Sequence, residues 1–430
     1  MATSMDEQVL SLAPWRRWVI LFTVSWMPLP VNFSVASILA AAPEVAVDLS
    51  VPTTTISTAN AGVLAAMAVS SLIWFPIESL VGRRRTYLAA ACLLCLCSIG
   101  AAVVPTIAGF TSIWVIGGTT GVVFLVSGQT VLADIFEPTV RGTAVGLFMG
   151  SHVSAQMIAP LTGGVMATHT TWRAIYGLQG GMAFLGIALA YFYIPEDMPK
   201  PSAEVSAQVT RTSFSAVLRL FSPLPVFQTL RYTEVLLSNI CCGLLSFNLY
   251  GMLSAVRFAI SERFDLSSPQ TSSLFYLAPG SGFVLGSIIG GILSDMTVKR
   301  YIVIRGGLRL PRDRLRAGLV NMLLVLPGGN LAFGWSLQER VGGMALPAVG
   351  AFGAGFGLMA SFSSLNTYAA EVLPEKKREI ISCKYIFQYG FSAGCVSSRL
   401  TTLNRLGVGW AFSISKLWAS VKNYFWNRAS

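Results

Sequence analysis

The sequence predicts an all-α integral membrane protein, a bundle of twelve helices arranged as two pseudo-two-fold sets of six. Three observations predict it. The 430-residue chain is 53% hydrophobic and only 11% charged, and its mean hydropathy is +0.64. Its apolar residues gather in runs near the ~20 residues that a helix needs to cross a bilayer. A short basic motif also occurs twice, 216 residues apart, which is about half the chain.

Composition excludes an ordinary soluble domain, where roughly 25% of residues are charged. A net charge of +11 raises nucleic acid as a partner. The basic residues lie instead in short connections between apolar runs, so they read as determinants of membrane orientation. The expected surroundings are a lipid bilayer, with no nucleic acid.

The first run, 18–42, follows Arg16-Arg17 and is longer than the ~7–15 residue core of a cleaved leader. It reads as a retained first span behind a cytosolic N-terminus, 1–17. Runs at 56–80, 87–108, 112–135, 143–168 and 172–194 complete an N-terminal bundle, 18–194. The polar stretch 195–231 reads as a central cytosolic linker. The C-terminal bundle, 232–430, holds runs at 233–256, 271–293, 317–336, 341–367 and 380–398, and a weak last span from Leu406. That span is interrupted by Lys416 and Lys422, so it is expected to be tilted, half-inserted or truncated. Trp410, Trp418, Tyr424 and Trp426 suit an interface there.

Charge supports this topology. With a cytosolic N-terminus, the cytosolic connections hold 20 Lys and Arg residues and the external ones 6, as the positive-inside rule requires. The seven cysteines fall in three apolar runs and read as small packing residues. His152 and His169 lack metal-ligand spacing, and no phosphate-binding loop is present. No metal, cofactor or enzymatic activity is expected.

The repeated motif is the most informative local feature. Its first copy runs Phe75-Pro-Ile-Glu-Ser-Leu-Val-Gly82-Arg83-Arg84-Arg85, and its second Gly291-Ile-Leu-Ser-Asp295-Met-Thr-Val-Lys-Arg300. Each closes the second apolar run of its set. The pattern resembles the G-x-L-[SA]-D-x-x-G-R-R turn of the major facilitator superfamily, and the likeness extends over nearly the whole chain. The resemblance implies a latch made of Gly82, Arg83, Arg84, Gly291, Asp295 and Arg300, in which the acid meets a helix N-terminus and basic side chains and holds the outward-open state. The first copy has Ser79 in place of the acid. Glu78 is one position early, about 100° away on a helix.

The fifth run resembles the family's antiporter motif in Gly146, Pro160, Gly163 and Gly164, with Ala155 and Ala159 in place of glycines. Ser151, Ala155, Ala159 and Gly163 make a small-residue ladder that lets helices approach closely. The resemblance places that ladder between the two halves. Further segments are similar to the fungal drug:proton antiporter-1 branch: Ala41-Ala-Pro-Glu-Val, Ala133-Asp-Ile-Phe, Ile194-Pro-Glu, Arg305-Gly-Gly-Leu-Arg-Leu-Pro-Arg-Asp313 and Asn366-Thr-Tyr-Ala-Ala-Glu371. That branch implies efflux of drugs, toxins, metabolites or organic acids, in exchange for protons, by a monomer in the plasma membrane. One departure bears on coupling. The family's fourth-span motif places an arginine four residues before Gly121, where this chain has Gly117.

Polar side chains inside a span are costly unless they face a cavity or a partner. Asn32, Gln129, His152, Gln156, Asn248, Asn366 and Gln388 are therefore the candidates for a substrate cavity near the midplane, where such folds bind. Tyr250, Phe275, Tyr276, Phe362 and Tyr389 are candidate aromatic lining. The expected function is secondary transport of a small organic molecule. The alternatives are passive facilitation on the same fold and a transport-inactive paralogue.

Overall fold

Long apolar runs become long helices because a backbone in hydrocarbon must satisfy its own hydrogen bonds. The computed structural model describes residues 14–194, 221–265, 269–406 and 408–413. Among these the chain is helical, and ten helical segments are long and apolar enough to cross a membrane.

In chain order the first half holds α1 (Pro14–Trp26), α2 (Pro28–Asp48), α3 (Thr53–Val81), α4 (Arg83–Val103), α5 (Ile107–Gly118), α6 (Gly121–Ile135), α7 (Arg141–His169) and α8 (Arg173–Tyr193). The second half holds α9 (Thr233–Ala255), α10 (Leu277–Ile304), α11 (Asp313–Val320), α12 (Leu326–Gln338), α13 (Ala345–Glu371), α14 (Lys377–Leu406) and α15 (Val408–Ser413).

Several boundaries differ from the hydropathy reading. The first span, Trp15–Asp48, runs α1 into α2 across Met27-Pro28 and is longer than 18–42. The fourth is broken at Thr119-Thr120 into α5 and α6. α10 continues well past 293 to Ile304, because a helix does not stop where its side chains turn polar. α14 supplies an eleventh long helix of 30 residues, which extends the run 380–398 at both ends with charged and polar residues.

The expected twelfth span is described only as α15, docked on α12. Gly409 N donates to Gln338 Oε1 at 2.9 Å, and Phe412 packs edge-on against Phe333 at 5.1 Å. Lys416, Trp418, Lys422, Tyr424 and Trp426 lie outside the described residues, as do the linker residues 195–220.

The outer surface is apolar, as a lipid-facing surface requires, around a core that is itself mostly apolar. Leu96, Ile99 and Val103 on α4, and Phe184, Tyr191 and Phe192 on α8, are exposed apolar side chains on outer helices. The interior carries much of the polar set, including Asn32, Gln129, His152, Gln156, Asn366 and Lys384.

The two halves of the chain meet most closely where α7 crosses α10. A Cβ added at Gly146 would lie 2.7 Å from the Ser287 carbonyl oxygen and 3.2 Å from Gly291 Cα. Ser287 Oγ donates to the Gly146 carbonyl at 2.8 Å. This corrects the expectation for the antiporter-like ladder. Gly163 faces Ser37 of α2, and Ser37 Oγ donates to the Ala159 carbonyl at 2.9 Å. Ser151 Oγ donates to the Ser25 carbonyl at 2.6 Å. The ladder packs within the first half, against the first span. The cross-half face is Gly142, Gly146 and Gly150, and one residue of offset turns a helix by about 100°. Pro160 is buried inside α7, as is Gly164.

Replacing Gly146 with valine is expected to destabilise the folded protein by about 1–3 kcal/mol through overpacking. Gly177, with nothing near its missing Cβ, is the control. Melting temperatures of the detergent-solubilised variants should fall for Gly146→Val and stay near wild type for Gly177→Val.

Candidate functional site

A helix leaves its first N–H groups without partners inside the helix, and its N-terminus attracts negative charge. α7 begins at Arg141, and Asp295 of α10 answers both needs from the other half of the chain. Its Oδ1 accepts from Gly142 N at 2.9 Å, and its Oδ2 from Thr143 N and Thr143 Oγ1, both at 2.7 Å. The fit depends on glycine. A Cβ at Gly142 would sit 2.5 Å from Asp295 Oδ1 and 2.8 Å from the Gly291 carbonyl oxygen.

Arg314, from the first turn of α11, completes the arrangement. Its side chain is fully buried. Nη1 donates to Asp295 Oδ1 at 2.6 Å and to Ser294 Oγ at 3.3 Å. Nη2 donates to Glu371 Oε1 at 3.1 Å and to the Pro138 carbonyl at 2.5 Å, and Nε to Glu371 Oε2 at 3.4 Å. Glu371, the last residue of α13, also pairs with Arg141 Nη1 at 3.2 Å and Arg309 Nη2 at 2.5 Å. Asp295, Arg314 and Glu371 thus bind the start of α7 and the Pro138 turn before it. Outside the spans, Arg305 donates to Asp313 at 2.7 Å, which holds its guanidinium above the ordinary value.

The first motif copy forms a smaller counterpart. Gly82 adopts φ +94°, a conformation that suits glycine, and turns α3 into α4. Glu78 Oε1 pairs with Arg83 Nε at 3.2 Å and lies 3.9 Å from Arg378 Nη2 of the second half. Its Oε2 accepts from Ser127 Oγ at 3.0 Å. Asp134 pairs with Arg83 at 3.6 Å and with Lys377 at the start of α14. The acid one position early therefore meets the basic side chains of its own turn; the Ser79 side chain lies outside the described residues. Glu371 with Arg141 and Asp134 with Lys377 are reciprocal pairs, each joining a carboxylate of one half to a helix start of the other.

Two motif arginines behave differently from the expectation. Arg84 donates to the Tyr191 carbonyl at 2.5 Å and lies over the Tyr191 ring. Arg300 is exposed and pairs with no carboxylate among the described residues. The guanidinium that meets Asp295 is Arg314, because α10 carries Arg300 away from the seam while the chain folds back at Gly306-Gly307, both with positive φ.

Deeper in the bundle, the cavity candidates fall into groups. Asn32 Nδ2 and His152 Nδ1 are 2.9 Å apart, and Asn32 Nδ2 also donates to the Pro28 carbonyl. Gln156, one turn on from His152, reaches Tyr250. Gln129 of α6 and Asn366 of α13 are bridged by Lys384 of α14, whose Nζ donates to Gln129 Oε1 at 3.0 Å and Asn366 Oδ1 at 2.6 Å. Asn248 and Gln388 are largely buried and bond directly to neither group. Of the aromatic candidates, Tyr276 donates to the Leu253 carbonyl and Phe275 packs on Phe333, which are structural roles.

Sequence reasoning missed Arg314 and Lys384. Arg314 was one of seven cations in a loop, with nothing to single it out. Lys384 is the one charged residue in the run 380–398, and that isolation was a usable signal.

The profile of the Major Facilitator Superfamily matches residues 27–397. The chain belongs to the major facilitator superfamily. Among its relatives are "Efflux pump FUBT" of Fusarium oxysporum, 24% identical over 95% of this chain and 71% of the relative, and "Multidrug transporter DTR1" of Candida glabrata, 24% identical over 85% and 75%. Two solved structures share the fold at 14% identity: the proton:xylose symporter XylE, with TM-score 0.69 over 95% of each chain, and the human organic anion transporter MFSD10, with TM-score 0.70 over 96% of this chain and 100% of that one. The protein is a multi-pass membrane transporter, not an enzyme.

Removing one partner of a buried charge pair typically costs about 3–5 kcal/mol. In this transporter, Asp295→Asn and Arg314→Met should each lower the melting temperature sharply, whereas Arg300→Gln should not. The double variant Asp295→Asn/Arg314→Met should lose less than the sum of the two single losses. A thermal-unfolding double-mutant cycle reads all four.

Proposed function

We propose that this transporter is a secondary exporter of a small organic molecule, working by alternating access in the plasma membrane. The single observation that carries the reading is the Asp295–Arg314–Glu371 cluster bound to the start of α7. The positive-inside count supports cytosolic basic turns, and on that reading the cluster holds the cytosolic end shut. A carrier needs two states of similar free energy, with substrate shifting their populations. A set of ion pairs that forms in one state and separates in the other supplies such a balance. Substrate binds near the midplane, among the polar side chains on α2, α6, α7, α13 and α14. Gly82, Arg83, Arg84, Gly291, Asp295 and Arg300 form the turns around which this end is built, with Arg314 as the contacting guanidinium. The efflux and multidrug names of the relatives support outward transport.

Exchange against protons is the coupling we propose. One observation favours passive facilitation on the same fold as the second reading. Gly117 stands where the family's motif has an arginine, its missing Cβ facing Cys97 Cβ at 3.1 Å, so no guanidinium is present there to couple a proton.

Expression in an exporter-deleted fungal host, challenged with a toxin panel, should restore growth on at least one compound. Asp295→Asn should abolish that growth at wild-type protein level. In inside-out vesicles, collapsing the pH gradient should slow uptake at least tenfold. Equal flux with and without the gradient would select the facilitator.

A further inference from the structure

An ammonium inside a membrane protein ordinarily has a carboxylate beside it, because burying an unpaired charge is expensive. Lys384 has none among the described residues. It sits two turns into α14, its side chain fully buried. Its contacts are two neutral amide oxygens, Gln129 Oε1 and Asn366 Oδ1, and the face of the Tyr385 ring, 3.7 Å from Nζ to the centroid.

The surrounding polar atoms have the same bias. Gln129 Nε2 is turned away from the ammonium and has no hydrogen-bond partner. Tyr385 Oη and Tyr389 Oη are also buried without partners, and their rings stack at 6.2 Å. Lys384 engages both amide oxygens beside it, which leaves a positive charge with the Gln129 amide N–H and two unpartnered phenols able to donate. A carboxylate is acceptor-only and takes up to about four hydrogen bonds. The cluster also straddles the seam, since Gln129 belongs to the first half and Lys384 and Asn366 to the second. An anion entering at the seam takes the place of the Gln129 oxygen on the ammonium, and the Gln129 amide then turns its N–H groups toward that anion.

We propose that Lys384 is the anion-recognition residue of the transport site, and that the substrate class is small aromatic organic anions, carboxylates above all. Gln129, Tyr385 and Tyr389 supply the neutral donors, and the tyrosine rings supply the apolar walls. This inference rests on the exporter reading for its place in a transport cycle, but the binding site is testable without transport.

The test uses the full chain in lipid nanodiscs and matched probes: benzoate, 1-naphthoate and indole-3-acetate, each with its neutral amide and its primary amine. Binding is read by intrinsic tryptophan fluorescence. At least one acid should bind tenfold or more tighter than its amide and amine. Lys384→Arg should keep that preference, Lys384→Gln should abolish it, and Gln129→Leu should weaken it. No acid preference across the panel, or a preference unchanged in Lys384→Gln, overturns the proposal. Folding gives an independent reading. Lys384→Met combined with Gln129→Leu and Asn366→Leu, which removes the buried charge together with the acceptors it would orphan, should melt above wild type without ligand; a lower melting temperature would assign the three to packing and count against the proposal. The two readings fail separately. Growth rescue without acid preference leaves an exporter of another substrate class, and acid preference without rescue leaves an anion site in a protein that does not export.

Discussion

The structure depends on one carboxylate capping a helix of the opposite half. Asp295 takes two backbone N–H groups and a hydroxyl at the start of α7 while holding Arg314 at 2.6 Å. Charge-assisted hydrogen bonds of this kind are about twice as strong as neutral ones, and they act here in a site that water barely reaches. Burying the Arg314 guanidinium requires acceptors on every side, and Asp295 and Glu371 supply them together. The cluster is therefore made whole or not at all, which is the behaviour a switch needs.

Packing and electrostatics are coupled at this point. Asp295 reaches α7 only because Gly142, Gly146 and Gly291 let α7 and α10 touch backbone to backbone. A side chain at any of these would hold the helices apart and lengthen the hydrogen bonds. The smaller cluster around Glu78, Asp134, Arg83, Lys377 and Arg378 serves the other seam with fewer bonds. Together the two clusters cross-link the halves at one end of the bundle. The polar groups around His152 and Lys384 then lie deeper, covered by the seam they share.

Much of the fold was legible in the sequence, since crossing a bilayer is a matter of length and hydropathy. Helices appear at each of the first eleven predicted positions, with ends displaced where α10 and α13 continue as polar helix. The turn at Gly82 and the acid at Asp295 stood out because their spacing repeats. What hydropathy leaves open is rotation about each helix axis and the identity of neighbours. That is why the ladder from Ser151 to Gly163 was assigned to the wrong partner, and why Arg300 was named where Arg314 makes the contact. Lys384 shows the same limit. Its isolation among apolar residues is visible in the sequence but names no partner, and only the three-dimensional arrangement brings Gln129 and Asn366 to it across 255 and 18 residues of chain.

The central claim is that Asp295 and Arg314 hold the basic end of the bundle closed. Pulsed EPR between spin labels at Glu137 and Lys376, both exposed and on opposite halves at that end, tests it most directly. In the otherwise wild-type protein the account predicts one narrow, short distance distribution. Adding Asp295→Asn and Arg314→Met should produce a second, longer population as the end opens. An unchanged distribution in the double variant would contradict the account.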